Sequence, residues 1–353
     1  MKILIITQAV NSEDFVLGFF HRWIEEFAKH CEEVYVICLY KGAHQLPHNV
    51  HVYSLGKEKG DTSRFQYVVR FWSYIWKYRS QYDAVFVHMN PEYVVLGGLL
   101  WRVLHKRIGL WYVHKSVTLK LRLATLLADV VFTSVPQSIN RKSKKIRSMG
   151  HGVDTSAFSR LSVPLFHPVT PRLVSVGRIT PIKNLEIPIH ALALLREKGI
   201  AATLDIIGSP AVPTDSAYEE SLRVLINDKK LDASVSFVGS ISNIDIPAVY
   251  AQYDLSINAA PTGGIDKVVL ESMAAGVLPL VSNEAFRTYF GEHASNLIYK
   301  DQDPGDLANK IQRLLIRTDI PKLQQDLRDS AKQHADVTLL VPAIIKQLHD
   351  SDI

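Results

Sequence analysis

The sequence predicts an α/β protein built from two doubly wound, Rossmann-like domains. At 353 residues, the chain is too long for one ordinary hydrophobic core. Short apolar strands without in–out alternation recur between amphipathic helices, as in parallel sheets covered on both faces. A turn-rich segment at 151–171, the predicted linker, separates this series from a second one of the same kind. The predicted domains are 1–160 and 161–335, and 336–353 is a predicted helix that packs back across the linker.

The first series of elements forms the N-terminal domain. Its predicted strands are Ile3–Thr7, Val34–Cys38, Val50–Leu55, Ala84–His88, Gly109–Val113 and Val130–Ser134. Its predicted helices are Phe15–His30, Arg64–Arg79, Glu92–His105 and Val117–Leu127, and a polar loop is predicted at Gln8–Asp14. Ligands of doubly wound sheets bind beyond the carboxyl ends of the strands, so the loops that follow these strands are candidate site elements.

The helix at Arg64–Arg79 carries two aromatic stripes at helical spacing. The stripe expected to face the core contains Phe65, Val68, Val69, Trp72, Ile75 and Trp76. The second stripe contains Tyr67, Phe71, Tyr74 and Tyr78 and is flanked by Arg64, Arg70, Lys77 and Arg79. Two interpretations stay open: the second stripe is a membrane or acceptor-docking surface, or the helix packs on two sides inside its domain.

Charge is distributed unevenly along the chain. Residues 1–164 contain 22 Lys and Arg against 12 Asp and Glu, a balance of +10, and the remainder has 18 against 23, a balance of −5. The N-terminal half is therefore expected to face something anionic. Charge alone does not choose between nucleic acid and an acidic membrane; together with the motifs described below, we expect a membrane surface and no nucleic acid.

Composition excludes several other classes. With 47% hydrophobic and 21% charged residues, the chain has the composition of a globular protein. The apolar run at Val94–Leu104 is broken by Arg102 and is too short to span a bilayer, and the N-terminus reads as a buried strand and not as a signal peptide. Cys31 and Cys38 form neither a disulfide framework nor a zinc motif. We expect a cytoplasmic protein, with peripheral attachment at the inner face of the cell membrane as an option.

The second series forms the C-terminal domain. Its predicted strands are Leu173–Val176, Thr203–Ile207, Val235–Val238, Leu255–Asn258, Leu278–Val281 and Asn296–Tyr299. Its predicted helices are Asn184–Lys198, Tyr218–Lys229, Ile246–Gln252, Pro304–Ile316 and Lys322–His334, and a final amphipathic run is Leu339–Leu348. Two doubly wound domains that face each other would form one ligand cleft between them.

The stretch Pro261–Gly276 contains the strongest local pattern. Gly263 and Gly264 lie between a strand and a helical pattern, and Asp266 is a candidate N-cap. A glycine turn at a helix start favours anion binding, because backbone N–H groups and the helix dipole point at the ligand. Taken alone, the pattern favours an ordinary turn, with Glu271 a solvated helix residue. Its companions in the chain favour the anion site.

Those companions together resemble a known family. The segment His151–Phe158 is similar to a family linker signature, usually Asn-Gly-Val-Asp followed by Phe. The other matching motifs are Val176-Gly177-Arg178 with Lys183-Asn184, Ile206-Ile207-Gly208, Phe237-Val238-Gly239, Tyr250 with Tyr253-Asp254, and Leu270–Gly276. Their order and spacing resemble the GT-B retaining glycosyltransferases of glycosyltransferase family 4. The resemblance covers nearly the whole chain and is strongest from His151 to Val281.

The resemblance implies a donor site for a UDP- or GDP-sugar. Arg178 and Lys183 correspond to the cations that hold the donor diphosphate, and Glu271 to the carboxylate that holds the ribose. The remaining donor-side residues are Gly177, Gly208, Gly239, Gly263, Gly264, Ile265, Asp266 and Leu270. No Asp-x-Asp metal motif occurs at a strand end, so we expect the two cations and the amides of 264–266 to stabilise the leaving diphosphate without metal or other cofactor.

The resemblance also implies an acceptor side in the N-terminal domain. Its candidate residues are Asn11, His88, Asn90 and His114. His114 matches a family histidine close to the transferred sugar, and a capped or solvated strand-end histidine is the alternative. The usual neighbouring aspartate is replaced by Lys115, and the N-terminal loop lacks the usual Gly-Gly pair.

A further departure concerns a family motif with two glutamates. The position of its first glutamate is occupied by Gly263, and Asp266 is a candidate substitute. With Asp266 in that role, we expect His114, Arg178, Lys183 and Asp266 to be the catalytic residues.

Two functions from different classes follow. The first is a metal-independent retaining hexosyltransferase acting on a hydroxyl acceptor, with a lipid-linked or cell-envelope glycan expected. The second is a catalytically silent GT-B scaffold or nucleotide-binding subunit, which the glycine at 263 favours. No paired carboxylates at glycosidase spacing indicate a covalent double displacement.

Overall fold

The computed structural model describes residues 1–60, 63–159, 166–261 and 264–349. Its strands are β1 (Lys2–Val10), β2 (Glu33–Lys41), β3 (Val50–Ser54), β4 (Ala84–His88), β5 (Arg107–Trp111), β6 (Val130–Thr133), β7 (Ile146–Ser148), β8 (Arg172–Val176), β9 (Thr203–Ile207), β10 (Val235–Gly239), β11 (Leu255–Asn258) and β12 (Leu278–Val281). Its helices are α1 (Phe19–His30), α2 (Arg64–Lys77), α3 (Pro91–Val103), α4 (Leu119–Leu127), α5 (Thr155–Ser159), α6 (Glu186–Glu197), α7 (Pro213–Asp228), α8 (Ile246–Tyr250), α9 (Lys267–Ala275), α10 (Arg287–Phe290), α11 (Ala294–Leu297), α12 (Pro304–Leu315), α13 (Ile320–Ala335) and α14 (Val337–His349).

The contacts divide the chain into two compact units. The first contains Met1–Gly152, Ser242–Ile244 and the segment from Asp336 onward, and the second contains Val153–Ile241 and Asp245–Ala335. The division falls before α5, earlier than the predicted boundary at 160–161, because α5 packs on α9 and α13 of the second unit.

The first unit contains a seven-stranded sheet in the order β3-β2-β1-β4-β5-β6-β7. Every neighbouring pair in this sheet is parallel. One face carries a core formed with α1 and α14, and the other carries a core that includes buried residues of α2, α3 and α4. The strand order reverses between β1 and β4, which places a ligand crevice at the carboxyl ends of these two strands.

The C-terminal segment belongs to the first unit. Helix α14 packs on α1 and contacts β5 and β6. Its buried residues Leu340, Val341, Ile344 and Leu348 belong to the same hydrophobic cluster as Trp23 of α1. The C-terminal helix therefore packs on elements of the first unit, whereas the predicted packing back across the linker stays a prediction.

The second unit contains a five-stranded parallel sheet in the order β10-β9-β8-β11-β12. Its order reverses between β8 and β11, so the loops that follow these strands border the second crevice. Apolar residues are buried on both faces of the central strands, and Leu173, Val174, Leu255 and Ile257 are at most 2% exposed. This burial confirms the interpretation of non-alternating strands as a sheet covered on both sides.

Several predicted elements are wrong at their ends or in kind. Strand β1 continues through Gln8–Val10, which had the composition of a loop. Helix α1 begins at Phe19 and not at Phe15, because Asp14 Oδ1 accepts hydrogen bonds from the amides of Val16 and Leu17 and holds a turn there. Strand β7 and helix α5 lay in segments where periodicity predicted no element.

The predicted strand at Asn296–Tyr299 is also wrong. Its first residues lie in α11, and only a single parallel bridge joins Ile298 to Val281. The segment is therefore not a strand of the second sheet.

The two stripes of α2 have the opposite orientation to the prediction. Phe71 is buried, whereas Trp72 and Trp76 are 54% and 55% exposed. The tyrosine stripe packs on the sheet edge, because Tyr78 stacks on Tyr53 of β3 with ring centroids 4.5 Å apart. Of the predicted core stripe, Ile75 is buried. No helix within the described residues combines the length and apolar character needed to cross a bilayer.

Candidate functional site

The second crevice brings together polar side chains from distant parts of the chain. Lys183 Nζ lies 2.6 Å from Asp266 Oδ2, joining the loop after β8 to the start of α9. Asn258, the last residue of β11, donates its side-chain amide to the same oxygen at 2.8 Å. Three of the elements that border the switch point therefore meet at one carboxylate.

Three glycines line the carboxyl ends of adjacent strands. Gly177 and Gly208 have φ of +144° and +142°, which L side chains rarely adopt. A Cβ on Gly208 would lie 1.9 Å from the carbonyl oxygen of Gly177. The Gly208 amide donates to the Gly239 carbonyl at 2.8 Å. Together they leave an edge of bare backbone that a ligand can approach closely.

Lys183 and Arg178 differ in their contacts in this crevice. The Lys183 stem passes over Gly177, with Cε 3.6 Å from the position of a Cβ there. The following residue, Asn184, has a left-handed φ of +46° and donates its side-chain amide to the Ala259 carbonyl at 3.0 Å. Arg178 is exposed and makes no ion pair within the described residues. One cation is thus held by a carboxylate, and the other is available to an anion.

Asp266 occupies the N-cap position of α9, but its side chain makes no capping hydrogen bond. It contacts Lys183 and Asn258 instead, which corrects the prediction of a capping side chain. Before it, Gly264 is fixed by its carbonyl, which accepts from Asn283 Nδ2 at 3.0 Å, and Ile265 is 5% exposed. Gly263 lies outside the described residues.

Glu271 and Leu270 lie on the buried side of α9. Glu271 is 6% exposed, and its Oε1 accepts from Lys267 Nζ at 2.8 Å. The predicted contact of Glu271 with a ribose stays a prediction. Leu270 is fully buried, so its side chain belongs to the core and not to a ligand surface.

Sequence reasoning missed Asn258 and Asn283 as site residues. Each lies at the carboxyl end of a short apolar strand, or just after it, where a polar side chain is a signal for a crevice residue.

Tyr250, a residue of one matching motif, donates its hydroxyl to the Val268 carbonyl at 2.9 Å. Burial, and next the charges of Glu271 and Asp266, raise the pKa of Tyr250 well above its ordinary value.

The first crevice contains Asn90, which was expected on the acceptor side, and Gln8, the first residue of the predicted polar loop. Gln8 Nε2 donates to Asn90 Oδ1 at 2.6 Å, which links the ends of β1 and β4. Both residues line a cavity of about 220 Å³ together with Arg64, Tyr67 and Tyr93. Asn11 lies in the loop just after β1; its side chain is so close to Gly42 that a Cβ there would fall 2.5 Å from Asn11 Cγ.

His88 does not fit the predicted acceptor-side role. Its ring stacks on Phe20 with centroids 3.9 Å apart, and the residue is 2% exposed. Burial, and next the charge of His151, lower the pKa of His88 to about 3. It is therefore a neutral core residue at ordinary pH, because the apolar strand that precedes it ends inside the core.

His114 lies beyond the end of β5 and is exposed, with its ring edge-on to Tyr112 at 5.7 Å. Its neighbour Lys115 lines a cavity of about 740 Å³ with Arg141 and Lys142. The same cavity is bordered by Thr133, whose buried hydroxyl has no hydrogen-bond partner among the described residues. This cavity combines positive charge with an unsatisfied polar group.

Metal ligands are not grouped at these loops within the described part of the chain. Within the described residues, the side chains close enough together to hold a metal ion are those of Glu292, His293 and Asp326. Asp326 also pairs with Lys322 at 2.8 Å, so a cation already occupies one of its oxygens. None of these residues borders the β8 and β11 loops.

Comparison with known proteins points in one direction. A family described as glycosyl transferases group 1 matches residues 165–334. WcaL of Escherichia coli K12, named for glycosyl transfer in colanic acid biosynthesis, is 31% identical over 153 residues, 41% of this chain and 36% of WcaL. A Mycobacterium tuberculosis H37Rv protein, named GDP-mannose-dependent alpha-(1-6)-phosphatidylinositol monomannoside mannosyltransferase, is 27% identical over 157 residues, 42% of this chain and 39% of the relative. The matched stretch thus spans less than half the length of these relatives.

Solved structures match over the whole chain. Anabaena HepE, crystallised with UDP, has a TM-score of 0.74 at 20% identity, and 99% of each chain is covered. OtsA has a TM-score of 0.75 at 12% identity, and all of each chain is covered. These similarities show that the fold is GT-B, as predicted.

Proposed function

Because this chain belongs to the glycosyl transferases group 1 family, we propose that it is a retaining glycosyltransferase that moves a hexose from a nucleoside-diphosphate sugar to a hydroxyl acceptor. The observation that carries the proposal is the contact of Lys183 with Asp266, beside the unpaired Arg178, at the switch point of the second sheet. Cations at this place, with a glycine edge that admits a ligand close to the backbone, suit a diphosphate.

Lys183 and Arg178 have complementary roles in this proposal. An ammonium group has three donors, and Asp266 occupies one of them, so two remain for phosphate oxygens. Arg178 adds a planar guanidinium that can bind a phosphate through two parallel hydrogen bonds. In this proposal, the backbone amides of 264–266 donate to the same diphosphate. These groups would stabilise the leaving diphosphate without a metal ion.

The reaction that these groups support is a front-face substitution. The bond between the anomeric carbon and the diphosphate oxygen breaks, and a bond to the acceptor oxygen forms on the same face. The proton of the acceptor hydroxyl passes to the departing phosphate. Asp266 orients Lys183 and contacts the donor sugar in place of the absent glutamate at 263, and His114 lies on the acceptor side.

The relatives support a lipid-linked or cell-envelope acceptor. Their names refer to colanic acid and to a phosphatidylinositol mannoside. The cationic cavity at Lys115, Arg141 and Lys142 suits an acceptor that carries phosphate. We place the protein in the cytoplasm, at the inner face of the membrane that holds such an acceptor.

The base of the donor is left to experiment, because a relative named for GDP-mannose and a structure with UDP are both similar to this chain. Nucleotide release from UDP- and GDP-sugars, in the presence of membrane extract as acceptor source, tests the activity. Arg178→Ala and Lys183→Ala are each expected to lower kcat/KM by about 100-fold or more. Arg317→Ala, at a partly buried arginine that is paired with Asp319 away from the crevice, is the control. Full turnover in both site variants would contradict the assigned roles.

A catalytically silent subunit is the second candidate. The glycine at 263, where the family has a glutamate, favours it. Calorimetry that finds tight UDP or GDP binding, with no release of nucleotide from any donor, would support this candidate over the transferase.

A further inference from the structure

The outer surface of three neighbouring helices in the first unit is apolar. Helix α2 exposes Phe65, Val69, Trp72 and Trp76, helix α3 exposes Leu99 and Val103, and helix α4 exposes Leu119, Leu123 and Leu126. Phe65, Leu119 and Val103 are more than two-thirds exposed, at 76%, 71% and 74%. We call these nine side chains the three-helix apolar face. A contiguous exposed patch of large apolar residues indicates an interaction site.

The three helices lie side by side on one face of the sheet. Their buried residues share one hydrophobic cluster, so their opposite sides point outward together. Trp72 Nε1 donates to the Leu96 carbonyl at 3.2 Å, which joins α2 to α3. Arg102 Nε donates to the Leu127 carbonyl at 2.9 Å, which joins α3 to α4. The exposed residues of the three helices therefore form one surface and not three separate stripes.

Positive charge accompanies the three-helix apolar face. Its helices contain the cations Arg64, Arg70, Lys77, Arg102, Lys120 and Arg122. Their single acidic residue is Glu92, which pairs with Lys120 at 3.0 Å. Arg102 pairs with Asp129, just after α4, at 3.4 Å, and Arg70 donates to the Leu55 carbonyl, so the excess of cations comes from the other three. Just after α2, Arg79 stacks over the Trp76 ring at 4.3 Å. The surface thus combines apolar and aromatic side chains with an excess of cations.

We propose that the three-helix apolar face docks on the surface of a bilayer that contains anionic phospholipids. Tryptophan suits the boundary between head groups and acyl chains, because its ring is apolar and its N–H is polar. Leucine and phenylalanine side chains enter the acyl region while lysine and arginine bind lipid phosphates at the surface. The near absence of acidic side chains on these helices matches an anionic partner.

The docking proposal deepens the membrane location given under the proposed function and partly rests on it. Binding to vesicles needs neither donor nor acceptor, however, so docking and transfer can be measured separately. A failure of one leaves the other standing.

The tryptophans of the chain provide a direct readout. Of its five tryptophans, Trp23, Trp101 and Trp111 are at most 2% exposed, whereas Trp72 and Trp76 are half exposed. Vesicles of phosphatidylcholine with about one lipid in three replaced by phosphatidylglycerol should shift the emission to shorter wavelength. Acyl chains carrying bromine should quench the emission. The buried tryptophans report whether the fold is intact.

Variants identify the surface that binds. Phe65→Ser, Trp76→Ser and Leu119→Ser in one chain should lower the fraction that floats with anionic vesicles at least 10-fold. Ile316→Ser with Val169→Ser, which removes apolar residues 82% and 79% exposed in the second unit, should leave flotation unchanged. Higher salt should weaken flotation of the wild type, because the lysines and arginines are screened.

Two results would overturn the proposal. One is a wild-type protein that stays out of the lipid fraction at low salt, with no spectral shift. The other is a concentration-dependent dimer in gel filtration that the triple Ser variant abolishes, which would make the face an interface between copies of the chain. Nucleotide release with a soluble acceptor should be equal in the wild type and the triple variant, so lost docking is distinguishable from lost activity.

Discussion

The two units differ in how their candidate functional surfaces arise. In the second unit, Gly177, Lys183 and Asp266 come from short motifs, and the family match at 165–334 covers little beyond this unit. In the first unit, the exposed apolar face comes from three helices separated in sequence, none of which falls within that match. The comparison teaches that a candidate anion site can be recognised from motifs that are local in sequence, whereas an exposed apolar face depends on how helices pack.

The largest expected effect is on the folding of the second unit. Gly208→Ala places a Cβ 1.9 Å from the Gly177 carbonyl oxygen at a φ of +142°. Neither atom can move away by a side-chain rotation, because the Cβ is fixed on Cα and the oxygen belongs to the backbone. We therefore expect a loss of roughly 3 kcal/mol or more in the free energy of unfolding. Gly199→Ala has a φ of +82° but open space, so it should lose only about 1 kcal/mol. Urea unfolding of both variants measures the difference, and equal losses would contradict the close approach of the two strand ends.

The next effect separates binding from turnover at the second crevice. Asp266→Asn removes a negative charge beside Lys183, so UDP or GDP is expected to bind somewhat more tightly. The same change removes the carboxylate that orients Lys183 and that we propose to contact the sugar, so kcat should fall by about 100-fold. Calorimetry and nucleotide release measure the two effects. A parallel loss of affinity would show that Asp266 helps to hold the nucleotide itself.

A smaller effect concerns the core of the first unit. His88 has a folded-state pKa of about 3, below its ordinary value of 6.5, so the unfolded chain takes up a proton first as pH falls. Stability contributed by neutral His88 is therefore present above pH 6.5 and is lost progressively towards pH 3. Between pH 7.5 and pH 5, His88→Phe should lose about 2 kcal/mol less stability than the wild type. His48→Gln, at an exposed position, should follow the wild type. Urea unfolding at both pH values measures the free energy of unfolding. The same pH dependence in the wild type and in His88→Phe would contradict a neutral buried ring.

The smallest effect tests whether the first crevice contacts the acceptor. Asn90→Ala removes the 2.6 Å hydrogen bond from Gln8 and changes the lining of the small cavity there. If the Asn90 amide also makes one hydrogen bond to the acceptor, worth about 1 kcal/mol, the KM for the acceptor should rise about 5-fold and the KM for the donor should stay unchanged. Steady-state kinetics with both substrates varied measures this. A change in the donor KM alone would show that this crevice contacts the donor and not the acceptor.

Strands were easier to predict than their surroundings. The bounds of β4, β9, β11 and β12 match the predicted strands because buried apolar residues recur in each, even where a polar residue such as Asp205 or Ser256 interrupts them. The strand at Asn296–Tyr299 failed because an apolar run of that length also fits a short helix. Helix starts shifted where a single side chain, such as Asp14, determines the turn before the helix.

Some residues of the candidate site were also easier to predict from the sequence than others. Gly177, Arg178, Lys183 and Asp266 were recognisable because glycine turns and cations after strands have a local signature. Asn258 was not, since its role depends on a carboxylate eight residues further along the chain that folds back to it. Whether His88, at the end of β4, was a ligand residue or a core residue depended on Phe20, which comes from helix α1.

By itself, the sequence determined the two-sheet α/β class, the switch-point loops and the basic character of the first half, because these follow from local periodicity, turn residues and charge. Only the tertiary structure decided which side of α2 is exposed and that His88 is buried. It also decided that Asp266 binds Lys183 and does not cap its helix. The physical reason is that a stripe on a helix becomes core or surface only when a neighbour covers it, and a polar group takes the partner that the fold brings nearest.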